Sequence, residues 1–520
     1  MVVVPNTNII LLKTPFEMDE ENTLTFANAT AQYNYFISLP KLELDNATYQ
    51  RKDGVIRWAG SYDDIIEYNY CMYQNESFSN KWFYAFIEDI KFVSTEVTEI
   101  KIKTDVFETW QFDIVWKQTF IEREHVSKAN DGYGKNLVEE KITFKEYFNM
   151  LRSDFNFGDC HPVMATTVSP IDGSNVGGGV YGGIPSGSTY YVFQQITDLF
   201  NGLTTIANAG KSSGIVSVFL APDWLTGYNT ATFISGVAEV PITTYQTDTT
   251  GIAVPLNPTV IGSYTPVNKK VFTYPYCYYV LSNNSGTDVI LKLEDFKDDG
   301  THTGSIDIIG AVCPSCSIRA IPVDYEVGNA TFADGQNNQY GVNLGKFPIC
   351  SFPVDSYTNW LTQNAVNIPL SIASGVISTA TGIIGGNPIS SASGLISIAQ
   401  NIGSIYEHSL IPPSVSGNTN SGDITYSSGK LTFTGYLRTI KEEQAKILDN
   451  YFSMYGYQTN RLKLPNLNTR SNWNFVKTIN CNITGNIPQK DLLEIKGLFN
   501  RGITLWHNAS TFLDYSQANN

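Results

Sequence analysis

Hydrophobic and polar positions alternate through the first quarter of the chain. Ile100, Ile102, Thr104 and Val106 are interleaved with Glu99, Lys101, Lys103 and Asp105, the period-2 pattern of a strand with one buried face. From Lys81 onward, Trp82, Phe83, Tyr84, Ala85, Phe86 and Ile87 follow without a polar break, which predicts a strand covered on both faces. Strand after strand is therefore expected from about residue 20 to 125. Gly177, Gly178, Gly179, Gly182 and Gly183, followed by Pro185, mark a loop. Short strands are expected to resume from about 189 to 350, with a hairpin tip at Asp299-Gly300, a dipeptide suited to a type I′ turn.

The period changes near the end of the chain. Thr439 with Glu442 reads as a capping box. Ile440, Ile447, Leu448, Tyr451, Phe452 and Tyr455 make one face of a helix that Gly456 can stop. A second helix is expected from Pro488, with Leu492, Ile495 and Phe499 on one face and an end before Gly502. Strand-like residues from 473 to 483 separate the two. The expected fold class is mainly β, multi-domain, with an α+β C-terminal region and an inserted hydrophobic loop.

That insertion is the strongest local anomaly. Residues 356 to 406 contain no Asp, Glu, Lys or Arg, where the chain-wide 16% charged would place roughly eight. Two runs of small and aliphatic residues, 370 to 384 and 389 to 405, flank Gly385-Gly386-Asn387-Pro388, the pattern of a hairpin with a turn between its arms. Each arm falls short of the roughly 20 residues that span a bilayer as a helix, and Ser and Gly dilute both. A stably inserted transmembrane pair is disfavoured; conditional insertion is not. The composition fits both a hairpin buried in an oligomer and a membrane-active loop that stays hidden until triggered, because an exposed apolar patch of this size would aggregate.

The 520 residues suffice for about two to four domains, and 42% hydrophobic content fills real cores. Tyr and Phe are abundant, at 30 and 28, which suits β-rich surfaces partly covered by partner chains. The net charge of −15 argues against gripping phosphate backbones from outside, since that affinity comes from Lys and Arg. It suits a passage through which nucleic acid slides without sticking. The cysteines (Cys71, Cys160, Cys277, Cys313, Cys316, Cys350, Cys481) are odd in number and scattered, so buried free thiols are expected rather than a disulfide framework. Val2 to Val4 lack a basic flank and Pro5 interrupts them, so no secretory signal is expected.

Candidate chemistry is sparse. Gly210-Lys211-Ser212 imitates the end of a phosphate-binding loop, but Thr205 stands where that motif needs Gly. Cys313-Pro314-Ser315-Cys316 has metal-ligand spacing without a second Cys or His pair. Asp295, Asp298, Asp299 and Gly300 faintly suggest a calcium loop, yet Lys297 occupies a ligand position. His125, His161, His302, His408 and His507 fall in no catalytic pattern. Adjacent carboxylates such as Asp63-Asp64 and Glu88-Asp89 occur in any acidic β-rich chain and discriminate nothing. No catalytic residue, metal ligand or cofactor is assigned, and no enzymatic activity is expected.

Several strings resemble a known family. Asn80-Lys81-Trp82-Phe83-Tyr84-Ala85-Phe86, the segment from Thr104 through Trp110 to Ile114, and Phe120-Ile121-Glu122-Arg123-Glu124-His125-Val126 resemble the N-terminal region of the tail knob proteins of small Bacillus-type podophages. Tyr274-Pro275-Tyr276-Cys277 resembles their middle. Tyr455-Gly456-Tyr457, the run from Asn460 through Leu462 and Pro465 to Arg470, and Gly502-Ile503-Thr504-Leu505-Trp506-His507 resemble their C-terminal domain. The order is the same, and the likeness is weakest from about 130 to 270.

This resemblance implies a distal tail-tube protein of the virion that assembles as a homohexameric ring, its wall built from both chain ends. The expected division is a β-rich tube domain at 1–160, a distal β-rich domain at 161–350, a hydrophobic loop segment at 351–423 and an α+β domain at 424–520. Implied partners are further copies of the chain, a proximal tail-tube or lower collar protein, the host membrane, and DNA passing without specific binding. The residues expected to act on a bilayer are Leu370, Ile372, Val376, Ile377, Ile383, Ile384, Ile389, Leu395, Ile396, Ile398 and Ile402. Rival readings are a receptor-binding adhesin or a hydrolase of wall polymer.

Overall fold

In the computed structural model, the residues described are 7–45, 47–50, 54–75, 80–155, 159–181, 183–241, 246–283, 288–298, 300–312, 317–325, 342–343, 349–351 and 433–520. The chain divides into two compact units. One comprises Met1–Thr143, Ser263–Val271 and Glu442–Asn520; the other comprises Phe144–Gly262 and Phe272–Lys441.

The first unit holds a seven-stranded antiparallel sheet in the order Lys41–Glu43, Thr7–Leu12, Tyr70–Asn75, Trp82–Ser94, Val97–Thr104, Val55–Trp58, Thr48–Gln50. Both faces of its centre are covered. Ile9, Leu11, Cys71, Tyr73, Phe83, Ala85, Ile100 and Ile102 enter one core with Ile495, Leu498 and Phe499 of the helix Gln489–Arg501. Ile10, Leu12, Tyr70, Met72, Tyr84 and Phe86 enter a second with Phe36, Trp473 and Trp506. Alternate side chains of one strand thus feed two cores, which is why the run from Phe83 to Phe86 shows no polar face.

A second sheet runs Asn22–Leu24, Ile503–Trp506, Trp473–Ile479, Thr119–Glu124, Tyr457–Lys463. Asn22–Leu24 pairs in parallel with Ile503–Trp506, so the two ends of the chain are knit into one sheet. The helix expected from Pro488 is present as Gln489–Arg501, preceded by Pro488 and ended by Gly502 at φ +105°. The other expected C-terminal helix is Glu442–Tyr455, stopped by Gly456 at φ +64°.

Four local expectations are corrected. Thr439 and Ile440 close the strand Thr434–Ile440, and the Thr439 hydroxyl has no hydrogen-bond partner among the described residues, so no capping box forms. Ile447 is exposed, while Ala445, Leu448, Asp449 and Phe452 are buried. Val106 belongs to the helix Val106–Trp110 rather than to the strand, because Asp105 accepts a hydrogen bond from the Glu108 amide at 3.0 Å and caps it. A further helix, Ala29–Ser38, capped by Asn28 through the Ala31 amide at 2.9 Å, interrupts the strands near the N-terminus.

In the second unit one sheet runs Tyr147–Asp154, Thr434–Ile440, Cys277–Ser282, Asp288–Leu291. Another runs Val237–Glu239, Thr189–Phe193, Cys160–Thr166, Ile215–Pro222, Ile349–Ser351, and a third Gln246–Pro255, Thr303–Ala311, Ser317–Pro322, Val342–Asn343. The helix Ile196–Asn208 breaks the expected succession of strands; Asp198 accepts from the Gln195 amide at 3.1 Å to close its capping box. The glycine-rich stretch forms a small hairpin, Gly179–Tyr181 with Ile184–Ser186. The expected hairpin tip near Gly300 is a connection instead. Asp288–Leu291 pairs with Cys277–Ser282, whereas Thr303–Ala311 pairs with Gln246–Pro255 and Ser317–Pro322; Asp299 lies outside the described residues. The mainly β fold class with its α+β C-terminal region holds throughout.

Candidate functional site

The eleven residues of the charge-free segment, from Leu370 to Ile402, lie outside the described residues. So do His408, Cys313 and Cys316. Among the described residues no helix is long and apolar enough to cross a membrane, and no three His, Cys, Asp or Glu converge as a metal site. What the structure does describe is the framework that holds both chain ends together.

Its centre is a buried polar network in the first unit. Glu140 is paired with Arg123, receives the Lys270 ammonium at 2.7 Å and accepts from the Gln458 amide at 2.9 Å. Burial lowers the pKa of Lys270, although Glu140 opposes that shift. Arg123 also donates to the Gly456 carbonyl at 2.7 Å. Asp449 accepts from Tyr264 Oη at 2.6 Å, the Val267 amide at 2.8 Å and the Asn268 amide at 2.9 Å. Tyr457 Oη donates to Asp131 at 2.6 Å, and Arg470 Nε to the Val126 carbonyl at 2.7 Å. Together these bonds fasten Ser263–Val271 between the N-terminal and C-terminal stretches of the unit.

Among the described residues, His125 is buried and His507 half-buried, and both are hydrogen-bonded within the first unit. His125 accepts from the Phe475 amide at Nδ1 (2.8 Å), so Nε2 donates to the Ser453 carbonyl at 3.1 Å. Burial and the Arg470 charge push its pKa down to about 3. His507 touches Thr25 Oγ1 at 2.7 Å and Asn474 Oδ1 at 3.0 Å, and burial lowers it to about 4. His161 pairs with Asp223 at 2.6 Å and stacks on Tyr228. Asp298 accepts from the amides of Gly300 and His302 at 2.9 and 3.0 Å, which closes a turn and not a calcium loop. Lys211 reaches the Gly173 carbonyl at 3.0 Å. Cys71, Cys277 and Cys481 are buried free thiols, and burial raises all three. A groove of about 390 Å³ is lined by Phe107, Phe112, Ile114, Trp116, Leu467 and Leu505, and no carboxylate enters it.

A second buried cluster lies under the helix Val106–Trp110. Glu108 accepts from Thr23 Oγ1, Gln32 Nε2 and Gln111 Nε2, each at 2.8 Å, and Asp105 accepts from Tyr70 Oη at 2.9 Å. Burial holds both carboxyls above their ordinary range, and for Glu108 the Asp105 charge adds to it. Glu20 is pushed up to about 7 by burial and by Asp105, which outweigh Lys103 at 3.5 Å.

A carboxyl that keeps its proton only when folded stabilises fully below its unfolded pKa, and the effect is lost as pH rises through the folded value. His125 and His507 work in the opposite sense, and their effect fades as pH rises past about 6.5, where the histidines of the unfolded chain lose their protons. Between about pH 7 and 8, where the histidine effect has largely faded, the first unit is therefore expected to weaken as pH rises. Glu20→Gln should flatten that slope in urea titrations; an unchanged slope would show that Glu20 is ionised in the fold.

Compared with known proteins, residues 241–520 match the family described as Bacillus phage phi29, Tail knob protein gp9, C-terminal domain. The chain belongs to this tail knob family. Residues 5–117 match the Caudoviral major tail protein N-terminus. The Tail knob protein gp9 of Bacillus phage B103 is 25% identical over 98% of both chains, and that of Bacillus phage phi29 is 24% identical over the same share. The solved bacteriophage C1 tail knob protein, gp12, superposes with a TM-score of 0.66 at 16% identity, covering 98% of each chain. The fold is thus that of a tail knob, and the protein is a structural component of a podophage tail. The strings 455 to 457, 460 to 470 and 502 to 507, which resemble tail knob C-terminal domains, lie within the matched stretch. They also contain Tyr457, Arg470 and His507, but not the roles of these residues, because the partners of Tyr457 and Arg470 lie more than 300 residues away in the chain.

Proposed function

We propose that this tail knob protein forms a homohexameric distal tail tube, with DNA passing through an acidic lumen without specific contacts. Segments 1–160 and 424–520 build the wall, 161–350 forms the distal domain, and hydrophobic loops from 351–423 close the channel until they are released into the host membrane. The observation that carries this reading is the absence of Asp, Glu, Lys and Arg from residues 356 to 406, inside the stretch matched to the tail knob C-terminal domain. A segment without charge meets no electrostatic barrier to lipid, and its Gly and Ser let neighbouring copies pack closely there. Leu370, Ile372, Val376, Ile377, Ile383, Ile384, Ile389, Leu395, Ile396, Ile398 and Ile402 are the residues that enter the bilayer.

Deletion of 356–406 tests this against an always-buried hairpin. The deleted chain is expected to assemble into rings seen by electron microscopy and to lose leakage from dye-loaded liposomes. Rings that still permeabilise liposomes as well as the intact protein would refute the membrane role, and loss of folding would favour the buried hairpin.

A further inference from the structure

One ammonium in the first unit is shared by two carboxylates. Lys103 Nζ lies 3.5 Å from Glu20 Oε2 and 3.5 Å from Glu494 Oε1, longer on both sides than a close charged hydrogen bond. Glu20 sits in the turn before Asn22–Leu24, Lys103 near the end of Val97–Thr104, and Glu494 in the helix Gln489–Arg501. The two carboxylates have different settings. The Glu20 side chain is only 4% exposed and its Oε1 has no hydrogen-bond partner among the described residues, whereas Glu494 is 31% exposed. The charged groups that act on Glu20 are Asp105, Lys103 and Glu494; Tyr70 and Glu108 lie behind Asp105, and Tyr35 and Tyr84 face Glu108. A buried carboxyl with one orphaned oxygen, two acidic neighbours and half a lysine is a poor place for a charge and a good one for a proton.

The turn that carries Glu20 is built to move. Glu20 has φ +58°, a left-handed conformation that a non-glycine residue keeps only where its surroundings impose it. Local bonds hold it: the Glu20 amide donates to the Glu17 carbonyl at 3.3 Å, and the Glu21 amide to Asp19 Oδ1 at 3.0 Å. The Glu21 carbonyl in turn accepts from the Thr504 amide at 2.8 Å, where the parallel pairing of Asn22–Leu24 with Ile503–Trp506 begins. Asn22–Leu24 is three residues long and forms the edge of its sheet. A turn that swings outward therefore pulls on the first bond of the seam between the two chain ends.

We infer that Glu20 is a proton-operated latch on this seam. With its proton, Glu20 stays buried and Lys103 serves Glu494; without it, Glu20 competes with Glu494 for Lys103, and the turn 17–21 opens together with the pairing of Asn22–Leu24. The response is local. One turn and one short edge strand open, while the seven-stranded sheet, whose centre is covered on both faces, stays closed. Lys103 makes the latch adjustable, because the carboxylate that it leaves must face water or take up a proton, and only Glu494 is placed to face water.

The test is amide hydrogen exchange of the full chain read by mass spectrometry, with Glu20→Gln compared at each pH so that the intrinsic pH dependence of exchange cancels. With Glu20 near 7 when closed and in the ordinary carboxylate range when open, the ratio of exchange rates at 17–25, parent over variant, is expected to grow about tenfold from pH 6 to pH 8. The same segment is expected to exchange faster than Tyr70–Asn75 at both values. A flat ratio would overturn the latch, and so would exchange at 17–25 no faster than at Tyr70–Asn75, since the seam would then open only with the whole unit. Glu494→Gln supplies an independent arm. It commits Lys103 to Glu20, so the rise in exchange at 17–25 should move to lower pH, and an unmoved rise would overturn the competition for Lys103.

Discussion

Glu140→Ala is expected to destabilise the first unit by about 3 to 5 kcal/mol, the usual consequence of removing one partner from a buried ion pair. The Glu140 carboxylate is fully buried, and the Lys270 ammonium 2.7 Å away is nearly so. Its loss leaves Lys270 and much of Arg123 charged in a site that water does not reach, and it strips an acceptor from the Gln458 amide. Trp473 and Trp506, both buried in the same unit, report the unfolding by fluorescence in a denaturant titration. The double variant Glu140→Leu with Lys270→Met should recover only part of the loss, since it removes the stranded ammonium but leaves Arg123 and the Gln458 amide without their acceptor. A single-variant loss below about 1 kcal/mol would place the pair in the class of solvated surface bridges instead.

The largest functional effect is expected from one charge placed in the charge-free segment. Ile383→Asp and Ile396→Asp should each oppose transfer into lipid by roughly 2.5 to 3.5 kcal/mol per copy, about two orders of magnitude in the insertion equilibrium. In a ring of identical subunits every copy carries the change, so leakage from liposomes should fall to background. Ile383→Leu keeps the apolar character and should leak as the parent does. Ring assembly by electron microscopy is the control. Leakage by Ile383→Asp and Ile396→Asp at the parental rate would remove residues 383 and 396 from the proposed bilayer segment.

Some elements were readable because their signals are local. Pro488 and Gly502 bracket the helix Gln489–Arg501, and its apolar positions recur at the helical period whatever surrounds them. The run from Phe83 to Phe86 announced two covered faces because no polar residue interrupts it. Other elements had competing local signals. Thr439 and Glu442 have capping-box spacing, yet the strand Thr434–Ile440 takes Thr439 through its pairing with Cys277–Ser282. Ala29–Ser38 is a helix rich in Tyr and Phe, residue types that favour strands. It is held by the Asn28 cap and by burial of Gln32 and Phe36, and only the second of these depends on distant partners.

The sequence by itself determined the mainly β class, the limits of one C-terminal helix, the stop of the other, the tail knob family and the position of the charge-free segment. All of these depend on composition, period or strings of neighbouring residues. Only the tertiary structure decided that Asn22–Leu24 and Ile503–Trp506 share a sheet, that Glu140 joins Arg123 and Lys270, and that Leu462, Phe120 and Ile479 align in one row. The physical reason is distance along the chain. Strand pairing and ion pairing act between groups brought together by folding, and residues up to several hundred positions apart leave no periodicity to read.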